Sequence, residues 1–218
     1  MVSVYKRLEV EKCTNFVSCT MHFEQGNIYH VYNRSNETVF FSEENYMFFL
    51  NKVRRFIYPN CDILAWCLMP NHFHFLIYAN SKSIESTKEN HRPSLQVLSK
   101  NFGTLLSSYT QSFNRFEKRK RKGRLFSHNT VAKLIEQEKD DYLENCFFYI
   151  HQNPLRAHLD SKLENWEFSS FRDSAGFRNG TLCNENLAFQ LIKLDSENFY
   201  EQSYAVIDEK YLDSFRFR

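Results

Sequence analysis

Residues 61–78 read CDILAWCLMPNHFHFLIY, two β-prone apolar runs joined by Pro70-Asn71. Proline cannot extend a paired strand, and a Pro-Asn step favours a tight turn. The pattern therefore predicts an antiparallel hairpin, with a buried strand over 61–69 returning over 72–78. Side chains alternate across a strand, so His72 and His74 leave one face of the return strand while Phe73 and Phe75 leave the other.

Other elements group around this hairpin. Ile28–Asn33 (IYHVYN) follows Gly26 as a first strand. Ser42 is placed to cap a helix over 43–56, with acids in its first turn and Lys52, Arg54 and Arg55 in its last. The 80–93 stretch is polar. After Ser94, apolar residues at 95, 98, 102, 105, 106, 109 and 113 recur at helical spacing and predict a long amphipathic helix that stops near Gly123. Thr130–Ile135 reads as a strand. The 139–152 stretch reads as a core helix ended by Pro154. The order β-α-β-β-α-β-α predicts an α+β fold with an antiparallel sheet and helices on one face. Beyond Trp166 the chain is expected to pack as an extension.

Composition removes whole classes of function. The 218 residues hold only five glycines, at 26, 103, 123, 176 and 180, so no glycine-rich phosphate cradle can form and no nucleotide cofactor is expected. The 22 Phe, 12 Tyr and 2 Trp must instead furnish most of the core. No apolar run approaches the roughly 18 residues that span a bilayer, and the N-terminal stretch lacks the apolar segment of a secretory signal. The six cysteines form no C-x-x-C pair, which argues against a zinc ribbon and for reduced, mostly buried thiols in a cytoplasmic protein. The formal net charge is only +2, but Arg115, Lys118, Arg119, Lys120, Arg121, Lys122 and Arg124 crowd one short stretch against the single acid Glu117. Such a block suits a phosphate backbone; it equally describes a solvated helix end.

His72 and His74 offer two neutral nitrogens on one face of a strand to a divalent metal; two surface histidines would give the same string. Among the twelve tyrosines two stand out. Tyr109 lies in register with Leu105, Leu106 and Phe113 and reads as core. Tyr149 shares the shoulder of the last helix with Tyr142 and Asn153, a position that lets the ring pack while the hydroxyl reaches a cleft. Asn153 follows Tyr149 by four residues, which places both on one helix face. His30, His91, His128 and His158 show no comparable pairing.

The string MPNHFHFLIY resembles the histidine-hydrophobic-histidine motif of single-tyrosine transposases, in particular the REP-associated branch. IYHVYNR, SSYTQSFNRF with GRLF, YIHQNPLRAHL and NWEFSSFRDSAG resemble further segments of that family in the same order, together covering about residues 27–176. Ser127 and Asn129 depart from it, because a glutamine and an arginine are common there. The resemblance implies a ferredoxin-like domain over 26–176 between extensions 1–25 and 177–218. It also implies a transposase that cuts and rejoins hairpin-bearing single-stranded DNA through a 5′-phosphotyrosine. Carried over residue by residue, it makes Tyr149 the nucleophile and His72, His74 and Asn153 the ligands of Mg²⁺ or Mn²⁺, with Gln152 and His151 as substitute ligands. It leaves the basic block for DNA. Related transposases work as homodimers, and some members of this branch as monomers. Two other readings compete: a transposase descendant that binds structured single-stranded nucleic acid without cutting it, and a metal-dependent phosphodiesterase that uses water.

Overall fold

The computed structural model describes residues 21–87, 94–116, 123–126, 129–136 and 141–215. Four strands, β1 (Ile28–Arg34), β2 (Asp62–Met69), β3 (His72–Tyr78) and β4 (Val131–Ile135), form one antiparallel sheet in the order β2-β3-β1-β4. The hairpin forms at Pro70-Asn71 as expected, and the β-α-β-β-α-β-α order holds through helices α1 (Glu43–Phe56), α2 (Val97–Phe116) and α3 (Tyr142–Arg156). Short helices α4 (Phe171–Ser174), α5 (Glu185–Ile192), α6 (Phe199–Gln202) and α7 (Glu209–Phe215) complete the C-terminal part.

Both faces of the sheet are covered, where cover on one face was expected. Tyr29, Val31, Trp66, Leu68, Phe73, Phe75 and Ile77 point into a core shared with Phe49 and Val53 of α1 and Phe102, Leu105 and Tyr109 of α2. Ile28, Ala65, Cys67, Met69 and Leu76 leave the opposite face and pack with Cys146, Phe147 and Ile150 of α3. The two crossover helices thus lie on one side, as a ferredoxin-like order requires, and α3 is the added layer. The physical cause lies in β2, whose apolar run leaves no polar face to turn to water. In β2 the register shifts between Ile63 and Ala65, so Leu64 is an extra residue that joins Ala65 on the α3 side. That bulge sets the parity by which Cys67 and Met69 face α3.

Tyr109 is core, as its register predicts: it is fully buried and its hydroxyl donates to the Val39 carbonyl at 2.8 Å. Cys61, Cys67 and Cys146 are buried and make no disulfide. Among the described residues, no helix is long and apolar enough to cross a membrane. The chain after Trp166 is tied to the sheet edge. Leu68 N–H donates to the Phe168 carbonyl, Ser169 bridges Cys67, and Trp166 Nε1 donates to the Leu68 carbonyl.

Candidate active site on the α3 face of the sheet

Strand pairing places the predicted histidines. Arg34 lies opposite His72 and Tyr32 opposite His74, while Met69 and Cys67 flank them from β2. His72 and His74 therefore share one face, as their spacing predicts, and α3 lies on that side. His72 Nδ1 is 2.7 Å from Asn71 Oδ1, and the ring also hydrogen-bonds Asn153. His74 is fully buried, with Nδ1 2.8 Å from Nε2 of His30.

Helix α3 supplies the other groups. It runs through Pro154 to Arg156 instead of ending before the proline. The four-residue spacing of Tyr149 and Asn153 therefore stays helical, and Asn153 Nδ2 donates back to the Tyr149 carbonyl at 2.8 Å. The Tyr149 ring stands edge-on to His74, with centroids 5.7 Å apart, and to His30 at 6.2 Å. Phe215 of α7 packs against the Tyr149 ring at 5.2 Å and against His30 at 6.2 Å. That helix is seated by Lys133 Nζ, which donates to the Ser214 carbonyl, and by the Tyr142 hydroxyl, which donates to Ser214 Oγ.

Three consecutive polar residues of α3 diverge. His151 Nε2 lies 2.8 Å from Ser170 Oγ, whose hydroxyl is tied to the Trp66 backbone. Gln152 Nε2 donates to the carbonyls of Ser203 and Ala205. Only Asn153 reaches the histidine face. The substitute ligand roles of His151 and Gln152 do not fit this geometry, because both side chains are committed to packing α3 against β2 and the C-terminal segment.

His72, Tyr149 and Asn153 line one cavity of about 340 Å³ together with Arg34, Met69, Arg156 and Ala157. His74 lies beneath it, beside His72 on β3. Burial holds all the nearby imidazoles neutral. It pushes His72 down to about 4, helped by the Arg34 guanidinium and opposed by the Asn153 hydrogen bond. It takes His30 down to about 3, with Lys133 adding to the effect. His74 is lowered well below the ordinary range by burial first and then by His30 and His72. A neutral ring with a free lone pair is the form that ligates a metal.

His72, His74 and Asn153 carry nitrogen and oxygen donors of the kind a divalent ion could take. Among the described residues no three His, Cys, Asp or Glu side chains converge, so a cage closed by the protein is not available. Two imidazoles with the Asn153 amide would instead make an incomplete set, so a bound ion would also need phosphate oxygens or water.

Arg34, Arg156 and His30 belong to this site, and pattern reading did not select them. Arg34 ends the IYHVYNR string and Arg156 lies inside YIHQNPLRAHL, where no local pattern marks either. His30 is a buried, hydrogen-bonded histidine, and its partner is the site's own His74. Of the basic block, Arg115 and Arg124 are exposed, and Arg124 lines a separate groove along α2; Lys118, Arg119, Lys120, Arg121 and Lys122 lie outside the described residues.

No protein-family model matches the chain. A curated Haemophilus influenzae protein named as a REP-associated tyrosine transposase is 23% identical over 128 residues, which cover 56% of this chain and 69% of that protein. A solved structure of a REP-associated tyrosine transposase bound to a REP hairpin aligns with 80% of this chain and 86% of its own, at 13% identity and a TM-score of 0.47. In its ordered motifs and in the relative it matches, the chain is similar to the REP-associated tyrosine transposases.

Proposed function

We propose that the chain binds hairpin-bearing single-stranded DNA and cuts and rejoins it through a tyrosine-linked intermediate. The observation that carries this reading is the shared cavity, where a tyrosine, an imidazole and an amide meet with two guanidiniums. Arg34 and Arg156 attract a phosphodiester and fix it by hydrogen bonds to its oxygens. The Tyr149 oxygen attacks phosphorus, a Tyr–O–P bond forms, and the bond to the 3′ oxygen breaks. The departing 3′ oxygen takes a proton and the phenol loses one to solvent. The phosphodiester energy stays in the tyrosyl ester, so the reverse attack by a 3′-hydroxyl needs no nucleotide cofactor. His72, His74 and Asn153 would hold Mg²⁺ or Mn²⁺, which supplies positive charge for the phosphate oxygens when bound.

The test is cleavage of labelled single-stranded DNA containing a hairpin, taken from the flanks of the protein's own gene. Cleavage is expected with Mn²⁺ or Mg²⁺ and not with EDTA, and is expected to fall at least ~100-fold in His72→Ala and Asn153→Ala. Cleavage that persists in both variants and in EDTA would sink the metal assignment. Hairpin binding without any cleavage would favour the non-cutting binder.

A further inference from the structure

His74 is the deepest of the proposed ligands, and its Nδ1 faces a second imidazole instead of water. His30 Nε2 and His74 Nδ1 are 2.8 Å apart, both rings are fully buried, and their centroids are 5.0 Å apart. One proton lies between two neutral rings, and its position decides the chemistry of His74. If His30 donates, the proton of His74 sits on Nε2 and that nitrogen has no lone pair for a metal. If His74 donates, Nε2 is the lone-pair nitrogen.

The neighbouring histidine of the same strand offers a parallel for the second arrangement. His72 Nδ1 faces Asn71 Oδ1 at 2.7 Å, and a carbonyl oxygen can only accept. His72 therefore carries its proton on Nδ1. Both histidines are thus anchored through Nδ1 by a residue at the back, Asn71 in one case and His30 in the other. The β1–β3 register makes this possible, since Tyr32 lies opposite His74 and His30, two residues earlier, shares its face.

We propose that His30 is a positioning residue that accepts a hydrogen bond from His74 Nδ1–H and so fixes the His74 tautomer that presents Nε2 as a metal ligand. The metal half of this statement rests on the function proposed above; the tautomer half does not. Partners on the far nitrogen of a ligating histidine commonly change metal affinity by about 10–100-fold.

Two measurements separate the halves. In metal-free protein labelled with ¹⁵N-histidine, long-range ¹H–¹⁵N spectra read the tautomer of His74 directly. A proton on Nδ1 is expected, and a proton on Nε2 overturns the proposal. Mn²⁺ titration by calorimetry then compares wild type with His30→Leu, which removes the acceptor, and His30→Gln, which keeps an oxygen of similar reach. Binding about 10–100-fold weaker in the leucine variant, with near wild-type binding in the glutamine variant, is expected. Equal affinities in all three overturn the positioning role. A wild type that takes up no Mn²⁺ contradicts the metal reading instead, and the tautomer spectrum still decides what His30 does. Should His30→Leu fail to fold by circular dichroism, the wild-type spectrum and the glutamine variant carry the decision.

Discussion

At the scale of single residues, the proposed site would divide its labour among side chains on one side of a sheet. The two imidazoles are neutral because they are buried, Tyr149 lines a cavity, and in the proposed function the charge that meets a phosphate would come from Arg34 and Arg156 at its wall. Replacing either arginine by alanine is expected to weaken hairpin binding and to reduce the slope of log affinity against log salt by about one for each lost phosphate contact. Filter binding from about 50 to 300 mM salt checks this; an unchanged slope would place the DNA elsewhere. His72 and His74 were legible because two residues of one strand fix their own relative orientation. His30 and Arg34 were not, because their places depend on how β1 registers against β3, and no local pattern encodes that pairing.

At the scale of elements, α3 is the part on which the site depends, and three adjacent side chains orient it. His151 ties it to Ser170 and through it to Trp66 of β2, Gln152 ties it to residues 203–205, and Asn153 turns to His72. Ser170→Ala leaves the buried Trp66 N–H and His151 ring nitrogen without their acceptor or donor. It is expected to destabilise the fold by about 1–3 kcal/mol, measured by urea unfolding. The same burial makes the protein acid-sensitive. His30 and His151 are held down to about 3 by burial, against 6.5 for the free side chain. The unfolded chain takes up these protons first, so their stabilising effect is full above about pH 6.5 and is lost as pH falls towards 3. Between pH 7 and pH 5 each ring would remove about 2 kcal/mol, and the melting temperature should drop accordingly. A flat profile over that range would mean that these rings are hydrated in solution. Pro154 shows the limit of local rules here. A proline after Asn153 predicts a helix end, yet α3 continues to Arg156, because packing on both sides overrides the local preference.

At the scale of the whole molecule, the sheet separates two apolar cores, and the second one includes the C-terminal chain. Phe199, Ile207, Leu212 and Phe215 are buried with α3, and Phe215 lies against Tyr149 itself. A boundary near residue 176 follows from the motifs, which end there, but the physical core does not end there. Burying a large apolar side chain contributes about 1.5–3 kcal/mol, so four of them match the total stability of an ordinary domain. A chain cut after residue 176 is therefore expected to bind a hydrophobic dye and lose its cooperative melt, while the full chain unfolds in one transition. A cooperative melt of the shortened chain would show that the C-terminal part is a separate unit. This layer was hidden in the sequence because residues 177–215 contribute apolar groups singly, from short helices with no long period to detect.

Covalent trapping decides whether Tyr149 is the nucleophile. Wild type and Tyr149→Phe would be incubated with Mn²⁺ and the labelled hairpin-bearing strand, then separated on a denaturing protein gel. A DNA-shifted band in wild type and none in Tyr149→Phe, with hairpin binding equal in both, is the predicted result. A shifted band that survives in Tyr149→Phe, or cleavage in both proteins without any shifted band, would contradict it.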